Sequence, residues 1–95
     1  MDVANLIQLL HSARSDSEMR PTLIRNFQKL VWNFNGTIHS ESVDSILRDL
    51  AYDLDYYEPD SLWRMQDSSF YGEKRAIEEI SAAFVKLQSA GLKTE

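Results

Sequence analysis

An all-α fold, a single-domain antiparallel four-helix bundle over residues 1–95, is predicted by three observations. Apolar residues recur at i, i+3 and i+4 in four separate stretches. Pro and Gly are sparse, at two and three residues, so the elements are long and the loops few. No alternating polar and apolar run competes as a strand. Four amphipathic helices with mostly short connections bury their stripes against one another in a bundle. A chain of 95 residues builds one core but not a buried cavity with a lid.

The first helix is expected over about residues 3–13, with Asp2 as N-cap and Leu6, Ile7, Leu9 and Leu10 apolar. The polar segment 14–20 then turns the chain. Pro21 suits the first turn of a second helix that runs to about Phe34. Leu23, Phe27, Leu30, Val31 and Phe34 keep helical spacing in it, Ile24 broadens the stripe, and Trp32 lies at the core edge. Asn35-Gly36 is a stop signal. Ser40 caps a third helix, with Glu41 and Asp44 at the positive end of its dipole. Val43, Ile46, Leu47, Leu50, Ala51 and Leu54 form its stripe, the cleanest amphipathic signal in the chain. Pro59 pushes Glu58 away from helical angles and ends this helix near Tyr56 or Tyr57. The connection 59–70 is rich in apolar residues, and Leu62, Trp63, Met65 and Phe70 are expected to pack back onto the bundle. The last helix covers about 71–89, with Ile77, Ile80, Ala83, Phe84 and Leu87 inward and Gly91 as its stop.

Composition narrows the function. A 43% hydrophobic fraction with 11% aromatics excludes a disordered chain. The absence of Cys excludes disulfides, thiolate metal sites and thiol nucleophiles. The N-terminus lacks a basic n-region, and no apolar run approaches the roughly twenty residues that span a bilayer. A cytoplasmic protein without membrane association is expected.

The net charge of −5 is uneven: residues 41–79 hold eleven acids and four bases. Within them, Asp49–Asp60 carries five carboxylates and three tyrosines and no base. Such a face disfavours direct nucleic-acid binding and suits a basic protein surface. The plain alternative is a solvated face that keeps the chain soluble. Against it, like charges at i, i+4, as in Asp49 and Asp53, cost helix stability. Interleaved tyrosines also offer stiff contact area with a polar tip. Arg14, Arg20, Arg25 and Lys29 read as a weak, solvated basic patch.

Motifs for catalysis are nearly absent: there is no phosphate-binding glycine loop, no HExxH and no GxSxG. His11 and His39 stand near helix ends and read as capping or dipole contacts. Asp53, Asp55, Glu58 and Asp60 do not form a calcium loop, because Glu58 occupies the place of the obligatory Gly. Asp49 and Asp53 could pair as acid and base only if an opposing wall raised a pKa, and the sequence supplies no such wall. No cofactor and no metal are expected, and the chain reads as a non-enzyme.

The run YEPD at 57–60, following an acid-rich apolar helix and preceding YGEKRAIEEI, resembles the colicin D immunity protein family. That family includes immunity proteins of contact-dependent growth inhibition systems. NLIQLL at 5–10, Phe27-x-x-Leu30-x-Trp32, LAYDLDYYEPD at 50–60 and GEKRAIEEI at 72–80 match its pattern in order, over most of the chain. The specific part is the Glu-Pro-Asp corner. The chain departs from the pattern in SLWRMQDSSFYG, apolar where the relative is more polar, and in the doubled Tyr56-Tyr57.

The resemblance implies a four-helix protein that binds and inactivates a cognate toxin nuclease, a tRNA-cleaving ribonuclease in the relative, by offering negative charge to its basic active-site cleft. Carried over by position, Glu58 and Asp60 are the motif carboxylates, with Asp53, Asp55 and Tyr57 beside them. The full partner-binding set expected is Asp49, Asp53, Asp55, Tyr56, Tyr57, Glu58 and Asp60, with Asp67 as an outlier. Asp55, Glu58 and Asp60 would meet basic toxin residues, and the tyrosines would fill pockets between them. Charge reversal of these three acids is expected to abolish protection and leave helical content intact. The alternative is a helical adaptor or regulatory subunit that docks on another basic protein.

Overall fold

A computed structural model describes residues 2–94. Five α-helices occur in the order α1 (Val3–Ser15), α2 (Arg20–Asn33), α3 (Glu41–Asp53), α4 (Ser61–Arg64) and α5 (Glu73–Ser89). A 3-10 turn, Leu54–Tyr56, prolongs α3. Among the described residues there is no strand, and a single isolated parallel bridge joins Tyr57 to Tyr71. The four long helices coincide with the four expected; α4 is a one-turn addition inside the segment expected to be connection.

The helix ends follow their local chemistry. The Asp2 carboxylate accepts the Ala4 N–H at 2.9 Å, and the Ser40 hydroxyl accepts the Val43 N–H at 3.2 Å. Asp44, one turn into α3, accepts the Ile38 N–H at 2.9 Å, and this bond holds its carboxyl below the usual range. At the far end of α5, Gly91 takes a φ of 88°. Its N–H reaches the Gln88 carbonyl while that of Leu92 reaches Leu87, the paired bonds of a Schellman stop. The α2 helix ends at Asn33, within one residue of the expected end: Phe34 is already extended, and Gly36 (φ 112°) belongs to the turn beyond.

In the core, α1 packs against α2 and α5, and α3 packs against the same two helices. Leu6, Leu10, Phe27, Val31, Leu47, Leu54, Ile80 and Leu87 are among its fully buried side chains. Burying side chains of this size is worth about 1.5–3 kcal/mol each. The radius of gyration is 13.0 Å, the value of a folded chain of this length.

Arginines add donors at two helix C-termini. Arg20 is buried and not part of a solvated patch as expected; it donates to the Ala13 and Arg14 carbonyls at 2.7 and 3.0 Å, closing the C-terminus of α1. Arg48 does the same for α2 and the following turn through the Val31, Phe34 and Gly36 carbonyls. Gln28 is likewise buried and donates to the Ala51 carbonyl at 3.0 Å, tying α2 to α3. The C-terminal segment returns to α1, where His11 bonds the Thr94 carbonyl and stacks on Phe84 at 4.5 Å. His39 lies in the turn before α3, in the left-handed region at φ 64°.

Two packing expectations are corrected. Trp32 is 49% exposed and Leu30 is also exposed, because the buried stripe of α2 runs through Ile24, Phe27, Gln28 and Val31 and leaves both on the outer side. Leu62, Trp63 and Met65 do not pack back onto the helices: they are 71%, 61% and 81% exposed. The α4 turn is instead held by its charged member, Arg64.

Candidate interaction site

The acidic run divides where α3 tightens into the 3-10 turn. Asp49, Tyr52, Asp53 and Tyr56 line an open groove of about 440 Å³ between α3 and α5, whose other wall carries Glu79, Ala82, Ala83 and Lys86. Asp55, Tyr57 and Glu58 line a different cleft, of about 220 Å³, against Pro21, Ile24, Arg25 and Gln28 of α2. The eight expected residues therefore do not share one concave site. Asp60 and Asp67 lie beyond both clefts, on either side of α4.

In the groove, Asp53 is half-buried and its carboxylate accepts the Tyr71 hydroxyl at 3.0 Å; the same hydroxyl lies 2.9 Å from the Asp53 carbonyl. Burial pushes the Asp53 carboxyl up, and Glu79 across the groove adds to the shift. The expectation that no wall faces this carboxylate is thus corrected: α5 supplies one. Glu79 is itself paired with Arg75 at 2.6 Å. Burial and the Asp53 charge push the Tyr71 hydroxyl well above the tyrosine range, so it stays a donor. Asp49 is exposed on the rim and makes no side-chain hydrogen bond among the described residues. Tyr56 stands edge-on to Tyr52 at 6.4 Å, and Tyr52 is the main cause of the rise in its pKa.

The Glu-Pro-Asp corner is a braced loop. The Tyr57 ring packs against the core, and its hydroxyl donates to Glu73 at 2.7 Å. The same Glu73 oxygen accepts Arg20 at 3.0 Å, so a chain of contacts runs from the end of α1 to the corner. Burial, followed by the Glu73 contact, holds the Tyr57 phenol protonated far above its usual range. Main-chain bonds from Glu58 N–H to the Tyr71 carbonyl (2.8 Å) and from Tyr71 N–H to the Tyr56 carbonyl (2.9 Å) clip the corner to the start of α5. Glu58 accepts the Asp60 N–H, and Asp60 accepts the Leu62 N–H at 2.8 Å as the N-cap of α4. Asp67 accepts the Ser69 N–H and hydroxyl, bonds that lower its pKa and shape the next turn. Only Asp49 and Asp55 of the expected carboxylates have no such internal task among the described residues.

Arg64 completes the brace by donating to the Glu58 and Pro59 carbonyls at 2.7 and 3.2 Å. Its guanidinium lies against Gly72, where a Cβ would come within 3.1 Å. Arg64 is thereby held against the corner, while the exposed Arg25 and Lys86 line the two clefts beside the carboxylates and tyrosines. Tyr71, Glu73, Glu79 and Arg64 were missed as site residues. They meet the acidic run across 5 to 26 positions of sequence, and no periodicity links such pairs; their charged and aromatic character in 64–79 is the only available signal.

Among the described residues no group of three or more His, Asp or Glu is arranged to hold a metal ion, and no helix is long and apolar enough to cross a membrane. No protein-family model, curated protein or solved structure matches the chain.

Proposed function

We propose that the chain is a non-catalytic inhibitor, an immunity protein of the colicin D type, that binds a cognate bacterial toxin nuclease and neutralises it one-to-one in the cytoplasm. The observation that carries this reading is the run Asp49–Asp60: five carboxylates and three tyrosines without a base, set on helix and braced turn instead of a flexible tail. A basic active-site cleft that has evolved to hold a phosphate backbone is the complementary surface, and a tRNA-cleaving ribonuclease is the toxin the resemblance favours. Clustered carboxylates would steer the encounter, since opposite potentials raise association rates. The same reading takes the four long helices as an antiparallel bundle, a stiff frame that presents the corner already organised for docking. Asp49 and Asp55 are the acids best placed for this work, having no contacts to lose inside the fold.

Co-expression with the nuclease domain encoded by the neighbouring gene tests the proposal. Cell survival with a stoichiometric complex is the expected result, and Asp49→Lys/Asp55→Lys should weaken both while helical content persists. Cell death with no complex would overturn it.

A further inference from the structure

Leu62, Trp63 and Met65 are three large apolar side chains on a helix of four residues and its first following position, and all three face solvent. A loop that merely connected the Glu-Pro-Asp corner to α5 would need none of them. Their mount is also stiff: Asp60 caps the turn, and Arg64 bonds two carbonyls of the corner behind it. Asp60 stands immediately before the turn, Glu58 contacts the Asp60 N–H, and Asp67 follows two residues after Met65. The one base within the turn, Arg64, is occupied by the carbonyls at its back. An apolar knob flanked along the chain by Glu58, Asp60 and Asp67 is therefore held out from the fold, with Arg64 turned toward Glu73, Lys74, Arg75 and Glu78.

We propose that Leu62, Trp63 and Met65 are the apolar anchor of the docking surface, and that they seat in an apolar pocket bordered by Arg and Lys on a basic protein partner. Trp is the side chain most often found at such energetic centres, and Met adapts to irregular pockets. The surrounding acids select the sign of the pocket's border, which distinguishes this partner from a second copy of the acidic chain or from an anionic lipid surface. The inference rests on the reading that the partner is a basic protein, and adds the contact that would slow its dissociation.

Two measurements test it. In a Trp32→Phe background Trp63 is the sole tryptophan. Its emission is followed while a synthetic amphipathic Leu/Lys helix is added, with a Leu/Glu helix of the same pattern as control. A saturable blue shift with the Lys peptide alone, weakened by salt, is expected. No shift, an equal shift with both peptides, or a shift that grows with protein concentration before any peptide is added would overturn the inference. Secondly, Leu62→Ser/Trp63→Ser/Met65→Ser is compared with the parent chain against the nuclease domain. Helical content should be unchanged, with binding weaker by about tenfold or more. Unchanged binding by this variant would overturn the anchor and leave the proposed function standing. If the parent chain itself fails to bind the nuclease, the proposed function falls and the peptide titration alone decides the anchor.

Discussion

The two ends of the acidic run have similar compositions and opposite roles. Toward the α3 end, Asp49 and, six residues on, Asp55 are exposed and make no side-chain hydrogen bond among the described residues, although Asp53 between them is held by Tyr71. At the corner, Glu58 and Asp60 accept main-chain N–H groups and set the course of the chain into α4. The difference teaches that charge density does not by itself mark binding residues. A carboxylate with an internal partner cannot be reversed without disturbing the loop it shapes. A triple reversal at Asp55, Glu58 and Asp60 would thus confound any loss of binding with the integrity of the corner, whereas reversal of Asp49 and Asp55 leaves these internal bonds in place.

The largest effect expected from breaking the corner comes from behind it. Arg20→Met removes the donor of two carbonyls at the end of α1 and the ion pair to Glu73, which in turn holds Tyr57. Each buried carbonyl left without a donor costs about 1–3 kcal/mol, so urea denaturation should show a loss of at least that size. Wild-type stability in this variant would mean that the brace is not structural.

Tyr71→Phe comes next, removing one hydroxyl that serves both the carbonyl and the carboxylate of Asp53. A cost of about 0.5–1.5 kcal/mol is expected by the same measurement.

Acid titration separates two carboxylates of α3 by sign. The Asp53 carboxyl is raised in the folded state from an ordinary value of 3.8. Its contribution is therefore fully present below 3.8 and is lost as pH rises through the raised folded value. The Asp44 carboxyl is lowered, so its contribution is present above 3.8 and is lost as pH falls through the lowered folded value. Thermal melts of Asp53→Asn and Asp44→Asn against the parent should show stability differences that change with pH in opposite directions. Parallel changes would contradict the assignment of burial to one and of the Ile38 bond to the other.

The smallest effects sharpen the comparison most. Asp49→Asn and Asp55→Asn should each alter stability by less than about 0.5 kcal/mol while slowing association with a basic partner. Asp60→Ala should instead speed amide exchange at Leu62 by uncapping α4.

The legible part of the fold was its helices. Asp2 and Ser40 announce helix starts by their side chains and Gly91 a helix end by its left-handed backbone, and the α3 stripe is buried except for the half-buried Ile46. What stayed hidden was long-range. Arg20 reads as a surface residue because its charge conceals the carbonyls that satisfy it, and the buried Gln28 carries no sequence signal at all. Leu62, Trp63 and Met65 read as packed back onto the bundle because apolarity alone does not reveal that a capped single turn faces outward. The acidic run was visible as a surface; its division between a groove and a brace depends on Tyr71, Glu73 and Glu79, residues from elsewhere in the chain.

The most direct measurement is RNA cleavage by the purified nuclease domain as the chain is added, at low and at high salt. Complete inhibition at a one-to-one ratio is expected, with association slowed by salt and by Asp49→Lys/Asp55→Lys. Undiminished cleavage in the presence of excess folded chain would contradict the claim that this acidic surface occupies a basic nuclease cleft.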